Sequence, residues 1–144
     1  MKRLLWVAAV LAVGLAACTG IRKNEASPSP AATSSAASTD FKSAAEKLVD
    51  DLAAGNYDAV ESRFDVTMKS QLPRAQLENG WRTFQESEGN YKSHGAANAV
   101  MKGQLTVERV PITTATGTGE VRVSYHPDGT IAGLFFLKAG APPP

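Results

Sequence analysis

The chain has 144 residues, with 15 Lys or Arg, 14 Asp or Glu and a single cysteine. Nucleic-acid binding depends on Lys and Arg side chains that neutralise phosphates, so a near-neutral chain without a basic cluster is not expected to bind nucleic acid. One cysteine excludes an internal disulfide, and the length predicts one domain that can bury its own hydrophobic core.

The N-terminus has the pattern of an export signal. A basic pair at residues 2 and 3 precedes an apolar run from Leu4 to Leu15, and the small residues Ala16 and Ala17 stand directly before Cys18. The apolar run is shorter than the roughly 20 residues that span a bilayer. The arrangement resembles the bacterial lipobox, in which a signal peptide, here residues 1–17, is cleaved and the cysteine becomes the acylated first residue.

Acylation of Cys18 would anchor the chain to the extracytoplasmic face of a bacterial cell membrane. Two or three acyl chains hold a protein to a bilayer stably, whereas one chain binds reversibly. Cleavage would remove two basic residues and leave one more acidic than basic side chain, so the lipid rather than surface charge is the expected membrane contact. The alternative for Cys18 is a free thiol in an uncleaved segment.

Residues 18–39 comprise the lipidated cysteine and a predicted disordered tether. From Thr19 to Ser38 the sequence is rich in Ser, Ala, Thr and Pro and has no apolar periodicity, so it cannot bury enough apolar area to offset its conformational entropy. A flexible coil of this length spans roughly 25 Å on average and about 65 Å when fully stretched. The domain could therefore stand clear of the lipid headgroups.

Three helices are predicted between Asp40 and Gly89. The first begins near Thr39 or Asp40, ends at Gly55, and has an apolar face of Phe41, Ala44, Ala45, Leu48, Val49, Leu52 and Ala53. The second begins at Asn56, ends before Pro73, and has a face of Tyr57, Val60, Phe64 and Met68. The third begins at Pro73, stops at Gly89, and places Leu77, Trp81 and Phe84 on one side.

After Asn90 the pattern changes toward the two-residue alternation of strands. Four strands are predicted: a weak one at 92–101 that turns at Lys102-Gly103, then 105–110, 121–126 and 131–137. Pro127-Asp128-Gly129 is a turn, since Pro sets φ and Gly accepts a positive φ. Pro111 removes one ladder donor, which favours an edge strand or a bulge. The last strand is apolar on both faces and is expected inside the sheet.

These elements predict an α+β domain at residues 40–138, with three N-terminal helices packed on a curved antiparallel sheet of about four strands. Residues 139–144 are expected to form a disordered tail that ends in three prolines.

Several segments resemble the domain-of-unknown-function family 3887 over roughly Phe41 to Leu137. They are Leu52-Ala53-Ala54-Gly55-Asn56-Tyr57, Phe64-Asp65-Val66-Thr67-Met68-Lys69, Leu72-Pro73, Trp81 and Asp128-Gly129-Thr130-Ile131-Ala132-Gly133-Leu134-Phe135-Phe136. The resemblance implies a cone-like fold similar to that of nuclear transport factor two and ketosteroid isomerase. Domains of this family also occur fused ahead of α/β-hydrolase domains, which implies an accessory role.

A pocket between helices and sheet is the default place for a ligand in such a fold. Its possible lining is Phe64, Asp65, Trp81, Phe84, Tyr125 and Phe135, although aromatic residues at these spacings also fit a packed core. Asp65 could face inward as a carboxylate base, with Tyr91, His94, Tyr125 or His126 near it, or could cap a turn.

No motif for a catalytic nucleophile, a zinc site or a dinucleotide occurs in the sequence, so no cofactor or metal is expected. His94 and His126 lie 32 positions apart and lack the spacing of zinc ligands. The sequence therefore favours a non-catalytic binding domain, whose partner would be an envelope protein, a wall component or a small apolar molecule. The alternative is an enzyme of isomerase type or a hydrolase-accessory domain that uses the pocket.

Overall fold

A computed structural model describes the backbone of residues 30–142 and the side chains of residues 40–142. Cys18, the predicted signal peptide and the first part of the predicted tether lie outside these residues. The described part of the chain forms an α+β domain of four helices and a five-stranded antiparallel sheet.

Helix α1 extends over Pro30–Ala53 and supplies the largest helical share of the core. Ala45, Leu48, Val49 and Leu52 are at most 1% exposed, as their helical spacing predicts. The helix ends at Ala53, and Gly55 after it has a φ of 77° and donates its N–H to the Leu52 carbonyl.

The start of α1 lies ten residues before Asp40, so the helix includes residues 30–38, which the composition places in the tether. Alanine has the highest helix propensity and proline is favoured in a first turn, which makes this extension inexpensive even without an apolar stripe.

The predicted second helix is two short helices, α2 (Tyr57–Glu61) and α3 (Val66–Gln71). Between them the backbone pairs with the sheet, since Ile131 donates its N–H to the Arg63 carbonyl and Asp65 donates its N–H to the Ile131 carbonyl. These bonds replace helical ones, so one continuous helix was the wrong prediction. Helix α4 (Arg74–Glu88) confirms the predicted third helix between Pro73 and Gly89.

The sheet has the strand β3 at its centre. The strands are β1 (Tyr91–His94), β2 (Asn98–Lys102), β3 (Leu105–Thr114), β4 (Thr118–Tyr125) and β5 (Ile131–Lys138). Strand β4 pairs with one side of β3, both β1 and β2 pair with the other, and β5 pairs with β4. The predicted weak strand at 92–101 is thus two strands, which are separated at Gly95.

Pro111 explains that division. Gly95 donates its N–H to the Pro111 carbonyl, so the backbone of Pro111 faces the side of β3 where β1 and β2 pair. At this point neither strand needs a donor from β3, because the β1 pairs start at Ile112 and the β2 pairs end at Arg109. Of the two alternatives predicted for Pro111, an edge strand or a bulge, the edge strand is wrong: the proline lies in the central strand, opposite an interruption between β1 and β2.

Strand β5 lies at one end of the sheet, so its predicted interior position is also wrong. Its apolar residues occupy both faces for a different reason. Leu134 and Phe136 pair with the buried residues Val123 and Val121 on the face that the helices cover, whereas Phe135 points to the opposite face and is 39% exposed. The predicted turn before β5 is confirmed, with a φ of 89° at Gly129.

The helices lie on one face of the sheet: α1 packs across β3, α3 and α4 pack against β5, and α2 packs against α1 and α4. We call this the inner face and the other, which no helix covers among the described residues, the outer face. The core lies between the inner face and the helices. Even-numbered residues of β3 from Thr106 to Thr114 point inward, and odd-numbered residues from Val107 to Thr113 point outward.

Gly119 tests this packing. A Cβ at Gly119 would lie 2.5 Å from Phe84 Cζ and 3.1 Å from the Leu137 carbonyl oxygen. Gly119→Ala is therefore expected to lower the free energy of unfolding by about 1 to 3 kcal/mol, as measured by urea denaturation. Gly117→Ala is the matched control, because a Cβ there meets no atom within 4 Å. Equal urea midpoints for the two variants would contradict the close approach of α4 to β4.

Candidate functional site

The space between α4 and the sheet is filled by aromatic rings. The ring of Trp81 lies 5.4 Å from Phe136, 5.5 Å from Phe84 and 5.9 Å from Tyr91, measured between centroids. These are normal distances for packed aromatic pairs. Trp81 and Phe84, two of the predicted pocket residues, therefore contact other side chains of the core here.

Asp65 caps α3. Its Oδ1 accepts the backbone N–H of Met68 at 2.7 Å, and its Oδ2 lies 3.1 Å from His126 Nε2. The Met68 N–H bond, with a smaller contribution from the His126 side chain, lowers the pKa of Asp65. Of the two roles considered for Asp65, the geometry confirms the cap.

The six predicted pocket residues do not line one space. Phe64 and Tyr125 are buried in the core, and Tyr125 is stacked on Phe41 with a centroid distance of 5.1 Å. Asp65 lies at the start of α3, and Phe135 lies on the outer face. The structure thus groups Trp81 with Phe84 and leaves Asp65 apart from them, while Phe84 and Phe135 both line a groove of about 450 Å³ between α4 and β5.

The two histidines are engaged with separate carboxylates. His94 Nε2 lies 3.3 Å from Asp50 Oδ1 on α1, and His126 pairs with Asp65. Among residues 40–142, no group of three or more His, Cys, Asp or Glu side chains is close enough to hold a metal ion.

Glu108 is a buried carboxylate on the inner face that the sequence analysis did not single out. It has no exposed surface, and none of the described residues gives either of its carboxylate oxygens a hydrogen bond. Tyr125 on β4 lies diagonally across from Glu108. Its hydroxyl is also buried, and it has no hydrogen-bond partner among the described residues. The sequence pattern that could have revealed it is the alternation of β3, because Glu108 lies on the same face of the strand as the apolar residues Val110 and Ile112.

Burial controls the charge state of both groups. Removal from water raises the pKa of Glu108, and Glu46 on α1 adds to the rise while Lys42 opposes it. Burial likewise raises the pKa of the Tyr125 phenol, against the charge of Arg63. The inner face therefore holds two O–H groups that favour the neutral form.

The outer face carries a charged cluster at its centre. Glu120 accepts hydrogen bonds from Arg109 through both oxygens, at 3.0 and 2.8 Å, and also from Arg122 Nε. Burial by itself raises the pKa of Glu120, but the hydrogen bonds and charges of the two arginines outweigh burial and lower it. One carboxylate thus serves two guanidinium groups.

Arg122 also binds the segment after β5. Its Nη2 donates to the Ala141 carbonyl at 2.6 Å and its Nη1 donates to the Pro142 carbonyl at 3.2 Å. The first part of the predicted tail therefore lies on the outer face, where it shields Arg122 from water.

Two grooves on the outer face share Lys102, Val107 and Arg122. Their volumes are about 410 and 390 Å³. Val100, which is half exposed, lines the first, and Phe135 lines the second. The outer face thus combines exposed apolar groups with an excess of cationic ones.

Comparison with protein families decides the classification. A family model described as a protein of unknown function, DUF3887, matches residues 45–134, which begin within the C-terminal part of α1 and reach Leu134 in β5. The chain belongs to the DUF3887 family. No curated protein and no solved structure matches it. Within the described residues of this DUF3887 protein, no helix has the length and apolarity that crossing a membrane requires.

The chemical capacity of the DUF3887 domain differs between the two faces. The inner face is a packed core that holds the buried Glu108 carboxyl and Tyr125 hydroxyl, and burial raises the pKa of both groups. The outer face offers exposed apolar side chains and guanidinium groups, which suit the binding of an apolar and anionic surface.

Glu108→Gln tests the burial of the neutral acid. Because the folded-state pKa of Glu108 lies above its unfolded value, the folded domain holds a proton that the unfolded chain releases, so stability falls as pH rises between the two values. Glu108→Gln removes this loss. We expect the variant to be more stable than the wild type by about 1 to 3 kcal/mol at pH 8, and the difference to shrink toward pH 4.

Urea denaturation at several pH values measures this difference. Glu78→Gln, at an exposed position of α4, is the control for loss of one negative charge. A stability difference between Glu108→Gln and the wild type that does not change with pH would contradict a buried neutral carboxyl.

Proposed function

We propose that this protein is a lipid-anchored extracytoplasmic lipoprotein whose DUF3887 domain is a non-catalytic binding module. Its outer face binds an acidic and apolar surface of another protein of the cell envelope. The observation that carries this proposal is the exposure of Val100 and Phe135 near Arg109 and Arg122, which we call the arginine cluster. These residues lie on the outer face, which no helix covers among the described residues.

The charge of the outer face selects the partner. Arg109 is 44% exposed, and it shares the carboxylate of Glu120 with Arg122. The formal charges of these three side chains sum to +1, and Lys102 lines both grooves. A partner surface with carboxylates beside apolar side chains complements this arrangement, because charge complementarity directs both encounter and register.

The anchor supports an envelope location for the partner. The lipobox at residues 15–18 lies outside the described residues, so the argument for acylation of Cys18 rests on the sequence. Attachment to a membrane confines the domain to one surface and raises the effective concentration of any partner on that surface. A weak outer-face contact then suffices for association.

The enzyme alternative receives less support from the geometry. It required an inward-facing Asp65 beside a pocket under Trp81, whereas Asp65 caps α3 and Trp81 contacts three rings. The similarity to a cone-like isomerase fold remains a prediction and contributes no activity by itself.

A photo-crosslinking side chain tests the outer face. We expect a photoreactive phenylalanine analogue at position 135 to form a discrete adduct with another envelope protein in intact cells, because Phe135 lies within the proposed interface. The same group at Val66, which is 87% exposed on α3, is the matched control and is expected to form no such adduct. Adducts of equal yield at both positions, or none at position 135, would contradict the proposal.

Cys18→Ser tests the anchor. We expect this variant to move from the membrane fraction to the soluble fraction, because it cannot carry the thioether-linked acyl chains that supply the proposed bilayer contact. Cell fractionation with intact-mass measurement is the assay, and Thr19→Ser is the control. A wild-type protein whose mass shows an unmodified thiol would refute acylation.

A further inference from the structure

Strand β2 has a free backbone edge. It pairs with β3 on one side, and among the described strands none pairs with its other side. All five of its residues are exposed. This edge therefore presents backbone groups to the surroundings.

The pairing register shows which backbone groups are free. The turn at Gly103-Gln104 joins the paired residues Lys102 and Leu105, which form a hydrogen-bonded pair in a hairpin with a two-residue loop. Such pairs alternate along the ladder, so Val100 also bonds to β3, while the N–H and C=O groups of Ala99 and Met101 point away from it. Two donors and two acceptors thus lie along the outer edge of β2.

The other edges of the sheet are better protected. Strand β5 starts with a parallel bridge between Ile131 and Phe64, and α3 and α4 pack against it. The β1 edge has an irregular register between Tyr91 and Ser93. Prolines and β-bulges are common features that prevent an edge strand from pairing with another chain. Strand β2 contains neither, and its register with β3 is regular.

The free edge of β2 lies next to the groove of about 410 Å³ on the outer face. Val100 points to the outer face and lines the 410 Å³ groove together with Val107 and Arg109. A strand added beside β2 would lie about 4.8 Å from it and would place alternate side chains over the same face. Residues two apart in that strand would then meet the apolar surface of Val100 and the positive charge of the arginine cluster.

We infer that the partner binds by adding an extended segment as a further strand on β2, with an apolar and an acidic side chain two positions apart on its outer-face side. This inference rests on the proposed function and specifies its partner. Hydrogen bonds to Ala99 and Met101 supply affinity that does not depend on sequence, and the groove supplies the selection of side chains.

A displayed library of random twelve-residue peptides, selected on the full-length protein in detergent micelles, provides the probe. We expect the enriched peptides to place an acidic residue two positions from an apolar one. When the best peptide is bound, hydrogen exchange of the Ala99 and Met101 amides is expected to slow, although these amides do not bond to β3. This measurement needs no variant that must fold.

Met101→Pro removes one outward N–H while leaving the bonds from β2 to β3 intact. Met101→Ala is the matched control, because both changes delete the same side chain and its contact with Thr106 Oγ1. We expect Met101→Pro to weaken peptide binding about tenfold or more relative to Met101→Ala, since the added strand loses one hydrogen bond and meets a ring.

The outcomes separate the two proposals. If Met101→Pro binds the peptide as well as Met101→Ala does, or the Ala99 and Met101 amides exchange unchanged, strand addition is refuted. If strand addition is refuted but Arg109→Ser or Phe135→Ser still weakens peptide binding, the proposal that the outer face binds the partner stands without it. If no enriched peptide is affected by any of these changes, or the library yields no binder, both proposals are refuted.

Discussion

The two-residue period of β3 determines which chemical groups this domain buries and which it presents. Because β3 pairs on both sides, its register is fixed at the centre of the sheet and cannot shift by one residue without moving Val110 and Ile112 out of the core. The same period places Glu108 under α1 and Arg109 on the opposite face. The buried acid and the exposed cation are therefore two consequences of one hydrophobic constraint.

The structure tolerates an unpaired carboxyl at a cost. A buried polar group without a hydrogen bond destabilises a fold by a few kcal/mol at most when it stays neutral, and by far more when it is charged. Four core residues of α1 and the aromatic cluster of α4 supply apolar burial large enough to offset that cost. By contrast, both carboxylate oxygens of Glu120 on the outer face accept hydrogen bonds from its two arginine partners.

Elements with strong local signals were predictable from the sequence. The core face of α1, the span of α4 between Pro73 and Gly89, and the turn at Gly129 each depend on residues near in sequence. The division of α2 from α3 was not predictable, because it depends on backbone bonds between Arg63, Asp65 and the distant Ile131. The position of Pro111 in a central strand was not predictable for the same reason. It depends on the interruption between β1 and β2 at Gly95, which is distant in sequence.

The candidate site shows the same limit. A list of aromatic residues cannot say which side of a sheet each one occupies, and Phe135 differs from Phe136 only by the parity of its position. Glu108 and the Arg109–Glu120–Arg122 cluster were present in the alternating segments, but their significance depends on the pairing of β3 with β4. Long-range register, rather than composition, determines which side chains lie in the core and which lie on the outer face.

The early start of α1 bears on the proposed attachment at Cys18. A coil limits only how far a domain can travel from its anchor, whereas a helical segment has a fixed length. From Pro30 to Asp40 the chain advances about 15 Å along the helix axis. A pull exerted at residue 30 would therefore be transmitted along the helix axis to the segment that carries the buried Leu48 and Leu52.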